Sequence, residues 1–185
     1  MAKENNEKEK SLIKIDSYIE SDNKYQDEII KRGRRQAQMS EDAEDFLEKA
    51  VEALNQKKYE DAVELFKETI RRNPQSAEAH YHLGLAYFML KDYENAVKYY
   101  ENAIDLEPSD YMIHMQCGIV YHLMERFDEA IQKYKDVLKI FPNSTEALSK
   151  LGSAYTAKGM RDEAISAYKK ALRIKILSMT TNESE

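Results

Sequence analysis

Tryptophan is absent from this chain, cysteine occurs once, and only three prolines and five glycines punctuate its 185 residues. So few turn formers cannot bound the many short strands of a β-sandwich or barrel, which excludes an all-β fold. The single thiol, Cys117, excludes an intramolecular disulfide framework and a cysteine-rich zinc module, and it fits a reducing compartment. Long apolar runs are missing too: no stretch approaches the roughly 18 uncharged apolar residues of a membrane-spanning helix. The first thirty residues, dotted with Lys3, Glu4, Glu7, Lys8, Glu9, Lys10 and Lys14, hold no apolar core of signal-peptide length. The expectation is a cytoplasmic protein that is neither secreted nor membrane-spanning. An excess of positive charge is also lacking. A net charge of −6 and a pI near 5.4 argue against nucleic acid as a partner, because phosphate neutralisation needs a basic face. Residues 1–40 hold nine basic and eight acidic side chains, so the acidic excess belongs to the rest of the chain.

Catalytic signatures are equally sparse. There is no glycine-rich phosphate loop and no GxSxG elbow, and the carboxylates are spread as on a solvated helix surface. His80 and His82 form an HxH pair and His114 lies three residues before Cys117, but neither pair has third and fourth ligands at metal-site spacing. The expectation is a non-enzyme with no cofactor and no metal.

What the chain does contain is a period. Pro74, Pro108 and Pro142 stand 34 residues apart, as do Gly84, Gly118 and Gly152, Tyr87, Tyr121 and Tyr155, and Ala62, Ala96, Ala130 and Ala164. Ser76, Asp110 and Ser144 follow the prolines by two, and Asp42 extends that series upstream. Side-chain oxygens of these types accept from the unsatisfied amides of a first helical turn, so each reads as an N-cap. Apolar residues within the period recur three and four apart (Leu83, Tyr87 and Leu90; Val97, Tyr100 and Ile104), which is helical spacing. The expected helices cover residues 43–56, 59–72, 77–90, 93–106, 111–124, 127–140, 145–158 and 161–177. A glycine inside a helix costs about 1 kcal/mol relative to alanine, so Gly84, Gly118 and Gly152 imply crossings too close for a side chain. Tyr87, Tyr100, Tyr121, Tyr134, Tyr155 and Tyr168 then read as the aromatic knobs that fill the space between helices.

Small residues, aromatics, alanines and a closing proline at these offsets resemble the tetratricopeptide repeat. Residues 77–110 carry the pattern most fully, with Leu83, Gly84, Tyr87, Ala96, Tyr100, Ala103 and Pro108 in order. Residues 111–144 keep Gly118, Tyr121, Ala130, Tyr134 and Pro142 but place Cys117 and Val137 at two signature positions. Residues 145–178 keep Leu148, Leu151, Gly152, Tyr155, Ala164, Tyr168 and Ala171 and lose the proline to Ile176. Residues 43–76 match at Ala50, Ala62, Phe66 and Pro74 and depart at Lys49, Ala53 and Thr69. The resemblance implies an all-α, right-handed superhelix of stacked antiparallel helix pairs, an α-solenoid. It comprises four repeats across residues 41–178, with an N-terminal arm or degenerate repeat at 1–40 and a flexible tail at 179–185. Within the family, the layout and the string GMRDEAISAYKKAL at 159–172 resemble magnetosome-associated scaffolds, which implies self-assembly and peripheral attachment to an organelle membrane.

The resemblance further implies a concave groove lined by the first helix of each pair. Its wall would comprise Leu47 and Val51 from the first repeat and Tyr81, Leu85, Phe88 and Met89 from the second. The third would add Met112, Met115, Ile119, His122 and Leu123, and the fourth Lys150. That wall is apolar, aromatic and rich in flexible methionine, and it suits a helical or extended apolar segment of another protein. Groove positions that hold Lys, Asn and Arg in carboxylate-clamping members of the family hold mainly Leu, Tyr, Met, Gln and Ser here. A clamp for C-terminal carboxylates is therefore not expected.

Residues 1–40 do not continue the repeat. Leu12, Ile15, Tyr18 and Ile19, then Tyr25, Ile29 and Ile30, form apolar stripes too short to be stable helices alone. Three readings stand side by side: a solvated arm, a degenerate first repeat, and a self-association arm whose Leu12, Ile15 and Ile19 dock into a groove. The KRGRR cluster at 31–35 would attract an anionic lipid surface. The sequence thus points to a homo-oligomeric scaffold for proteins or peptides, with a secretion or assembly chaperone that holds one client as the alternative.

Overall fold

The computed structural model describes residue 31 and residues 42–182, with side chains up to residue 179. The chain divides into two units, Met1–Asp42 and Ala43–Glu185. The Leu12, Ile15 and Ile19 stripe and the basic cluster beyond Lys31 lie outside the described residues.

Helix α1 is described over residues 42–55. It is followed by α2 (Tyr59–Arg72), α3 (Ala77–Met89), α4 (Tyr93–Leu106), α5 (Tyr111–Leu123), α6 (Phe127–Ile140), α7 (Thr145–Ala157) and α8 (Arg161–Asn182). Helices α2 to α8 pack consecutively, and α1 joins α2 through a shared core of Ala50, Ala53, Ala62, Val63 and Phe66, which gives four antiparallel pairs stacked as an α-solenoid. The ends agree with the sequence expectation to within one residue, except for α8. That helix runs to Asn182 and takes in part of the expected tail, because neither proline nor glycine follows Gly159 to stop it.

The boundaries between pairs are set by caps. Ser76 accepts from the Ala79 amide at 3.1 Å, Asp110 from Met112 at 2.8 Å and Ser144 from Ala147 at 3.1 Å. Asp42 departs from that series, since it is itself helical. Within pairs the turn is closed by Lys57, Lys91, Glu125 and Gly159, again 34 apart, at φ of 61°, 62°, 59° and 74°. The following amide then reaches back to close the helix end, as Asp92 does to the Tyr87 carbonyl and Arg126 to that of Tyr121, both at 2.9 Å. An L-residue in this left-handed region costs roughly 1–2 kcal/mol. Only the fourth turn uses a glycine, so sequence signals for the other three are missing although all four turns are the same.

The core follows from the glycines. A Cβ on Gly84 would lie 2.8 Å from the Tyr100 ring, one on Gly118 2.7 Å from Tyr134, and one on Gly152 2.8 Å from Tyr168. Each glycine therefore receives the tyrosine of its own repeat's second helix, while the first repeat meets the same need with Ala50 and Phe66, both fully buried. Thr69, which departs from the repeat pattern, is buried with its hydroxyl donating to the Leu65 carbonyl at 3.0 Å. The expectation that all six tyrosines are enclosed is corrected: Tyr100 and Tyr134 are 0% exposed and Tyr121 is buried, Tyr87 and Tyr155 are partly exposed, and Tyr168 is the most open at 43%. The reason is positional. Tyr100 and Tyr134 are covered by the next repeat, and among the described residues no further helix follows α8.

Candidate protein-interaction groove

The first helices α1, α3, α5 and α7 carry the candidate wall. Val51, Leu85 and Ile119, each 34 residues after the last, are all partly exposed, and Ser153 continues the row as a polar step. Leu47 and Val51 rest on the core of the first two repeats, while Tyr81, Phe88 and Ile119 rest on that of the middle repeats. Met89, Met112 and Leu123 project further and are exposed. Val51, Leu85 and Ile119 each directly follow the small residue that meets the second helix (Ala50, Gly84 and Gly118), about 100° further round, which turns them off that contact and leaves them half covered in one row.

Met115 does not belong to that row. It is 3% exposed and part of the core. Its unbranched thioether folds into an inter-helix gap, whereas Tyr81 at the equivalent position is partly exposed and leans on Tyr100 at a tilt of 43°, with centroids 5.7 Å apart. His122 is half-buried, with its ring edge-on to Phe127 at 5.2 Å, and Lys150 is partly exposed.

The four histidines serve the stack. Nε2 of His80 donates to the Pro74 carbonyl at 3.2 Å, and Nε2 of His114 repeats the contact one period later with Pro108 at 3.0 Å. These rings pin the loop that enters each first helix, which accounts for their equivalent positions. His82 stacks on Phe66 at 5.7 Å. Among the described residues no three His, Cys, Asp or Glu side chains cluster as a metal site would require. Burial lowers the affinity of His82 for a proton against the opposing pull of Glu78. Burial also lowers that of His80, and burial together with the Lys150 charge lowers that of His122. Because the folded state holds these imidazoles neutral while the unfolded chain protonates near pH 6.5, stability should be full above that pH and fall as the pH drops below it. Thermal unfolding measured from pH 7.5 to 5 should show a declining melting temperature, and His82→Gln should flatten the decline.

One cluster had no sequence signal. Glu101 of α4 accepts from the Tyr121 hydroxyl at 3.0 Å and pairs with Lys133 at 2.7 Å, and the Cys117 thiol lies 3.7 Å away. Burial, then the Glu101 carboxylate, pushes the thiol pKa upward, so this cysteine stays protonated and unreactive. Cys117 stands where the neighbouring repeats have Leu83 and Leu151, and the smaller residue leaves room for the carboxylate. None of this could be read from one residue at a time.

Tetratricopeptide repeat signatures match residues 47–111 and 112–176. No curated protein matches the chain. Among solved structures, two crystal structures of MamA are each 32% identical with a TM-score of 0.72, covering 75% of this chain and 81% and 75% of theirs. MamA 41-end from Desulfovibrio magneticus RS-1 is 25% identical with a TM-score of 0.67, covering 71% of this chain and 75% of that one. Proteins built on this repeat are generally non-catalytic and mediate protein–protein interactions. With repeat signatures over most of its length and the fold of MamA, the chain belongs to the tetratricopeptide repeat family.

Proposed function

We propose that the protein is a non-catalytic, self-assembling scaffold that binds helical or extended apolar segments along its first helices. The observation that carries this reading is the row of Val51, Leu85 and Ile119 with Tyr81 and Phe88 beside it: partly exposed apolar side chains repeated at one period along a solenoid. Single exposed apolar residues are ordinary, but a contiguous row of them marks an interaction surface. Leu47, His122 and Lys150 extend the wall, and Met89, Met112 and Leu123 border it.

Self-association assigns the Leu12, Ile15 and Ile19 stripe to the groove of a neighbouring copy. The likeness to MamA, named above as a structural relative, supports the same direction. The basic run at 31–35 would hold such an assembly against an anionic membrane surface, with each basic residue contributing about 1 kcal/mol. No helix among the described residues is long and apolar enough to cross a membrane, so attachment of this kind would be peripheral. A chaperone for one client is the second reading, favoured by the exposed methionines, which adapt to irregular apolar surfaces.

Size-exclusion chromatography with light scattering on the full chain and on residues 41–185 tests the proposal. The full chain should form large assemblies that the shortened chain loses while keeping its helical circular dichroism. Large oligomers that persist after truncation would remove the arm from the mechanism, and a monomer that co-purifies with one stoichiometric client would favour the chaperone.

A further inference from the structure

The junctions between successive repeats are not filled alike. At the first, Tyr99 of α4 lies face to face with Tyr87 of α3, with centroids 5.5 Å apart and planes at 6°, and Lys67 of α2 sits over the Tyr87 ring at 5.9 Å. At the second, Lys133 takes the place of Tyr99 and is bound by Glu101 at 2.7 Å. The third repeats the first in most respects: Tyr155 corresponds to Tyr87, Leu151 to Leu83, and Lys135 sits over the Tyr155 ring at 5.8 Å. The position of Tyr99 and Lys133, however, holds Ala167. A cleft of about 450 Å³ opens there, bounded by Leu138, Leu148, Leu151 and Tyr155. Asp162, Glu163 and Lys170 line it as well, which makes its charged groups net negative. Among the described residues Asp162 and Glu163 form no ion pair.

We infer that this cleft binds an aromatic side chain of a partner protein, presented next to a basic residue. The ring enters against Tyr155 as Tyr99 lies against Tyr87, and the basic neighbour pairs with Asp162 and Glu163. The chain itself supplies the precedent for the occupant: in the junction with the same tyrosine, leucine and lysine, the space is filled by a tyrosine. Offset or face-to-face aromatic contact of this kind adds to the apolar area buried. The cleft is open to solvent, which leaves room for the main chain from which such a side chain projects. Its lining comes from α6, α7 and α8, and it contains none of the side chains assigned to the groove, so it is a second and separate interaction site.

The test titrates full-length protein, with Ala and Leu methyls labelled for NMR, with the peptide acetyl-Arg-Tyr-Arg-amide. Saturable shifts should be confined to the methyls of Ala167, Leu148, Leu151 and Leu138, and the same peptide with alanine for tyrosine should bind at least about tenfold more weakly. Ala167→Tyr, which rebuilds the first junction in the third, should raise the melting temperature and weaken the peptide by at least about tenfold. Asp162→Asn with Glu163→Gln leaves the cleft's shape intact and should weaken the peptide severalfold, which keeps the test decisive if Ala167→Tyr fails to fold. The inference is overturned by an absence of saturable shifts at these methyls, by equal binding of the alanine peptide, or by unchanged binding in the double carboxamide variant. Binding of p-cresol as tight as that of the peptide would also overturn it, since the cleft would then read a free aromatic molecule rather than a partner's side chain.

Discussion

Gly118→Leu is expected to lower the melting temperature by about 5–10 °C and to broaden the unfolding transition. The first atom of any side chain at this position would fall 2.7 Å from the Tyr134 ring and 3.2 Å from Lys133 Cβ. Tyr134 is wholly buried in the middle of the array, so its ring has nowhere to move, and overpacking of a rigid core costs about 1–3 kcal/mol or more. The same substitution at Gly152 meets Tyr168 at 2.8 Å but should cost distinctly less, because Tyr168 is 43% exposed and can swing outward. Differential scanning calorimetry on the two variants checks both the size of the effect and its dependence on position. Equal losses would mean that the glycines are selected by backbone conformation rather than by the tyrosine that meets each of them.

Leu85→Glu combined with Ile119→Glu should reduce self-association or peptide binding by more than about a hundredfold, while the far-ultraviolet circular dichroism stays close to that of the parent. A carboxylate buried against an apolar segment loses its hydration without a partner, and two such losses exceed what a groove of this size gains on binding. In the free protein both side chains are partly exposed, so a glutamate at either position can turn its carboxylate into water. Leu85 belongs to neither core cluster, while Ile119 packs against the central one, so most of any loss in stability should come from the second substitution. Sedimentation velocity at matched concentrations, with thermal unfolding on the same samples, separates the outcomes. A double variant that unfolds would place both residues in the core and dismiss the groove; a folded variant with unchanged assembly would move the binding surface elsewhere.

The legibility of this chain varies with the physical range of each interaction. Caps at Ser76, Asp110 and Ser144 could be read directly, because a capping oxygen meets an amide two or three residues away. The close packing at Gly84, Gly118 and Gly152 was also legible, since a helical glycine is costly and its recurrence every 34 residues needs a shared cause. Asp42 misled because its place in the series suggested a cap where the chain is already helical. The left-handed turns at Lys57, Lys91 and Glu125 gave no sign, because their conformation is imposed by the packing of the helices on either side rather than by their own preference.

Helix content, the 34-residue period, the stacking of pairs and the close crossings at Gly84, Gly118 and Gly152 were determined by the sequence alone, because each depends on a local pattern that recurs along the chain. The tertiary structure decided what lies between repeats. It drew Met115 into the core while leaving Tyr81 at the surface, since an unbranched chain can fold into a gap that a ring cannot enter. It joined Glu101, Cys117, Tyr121 and Lys133 from three helices into one polar cluster. It also left the space beside Ala167 open where Tyr99 and Lys133 close the preceding junctions. Whether such a space is filled depends on side-chain volumes contributed by three helices at once, and no pattern along the chain encodes that sum.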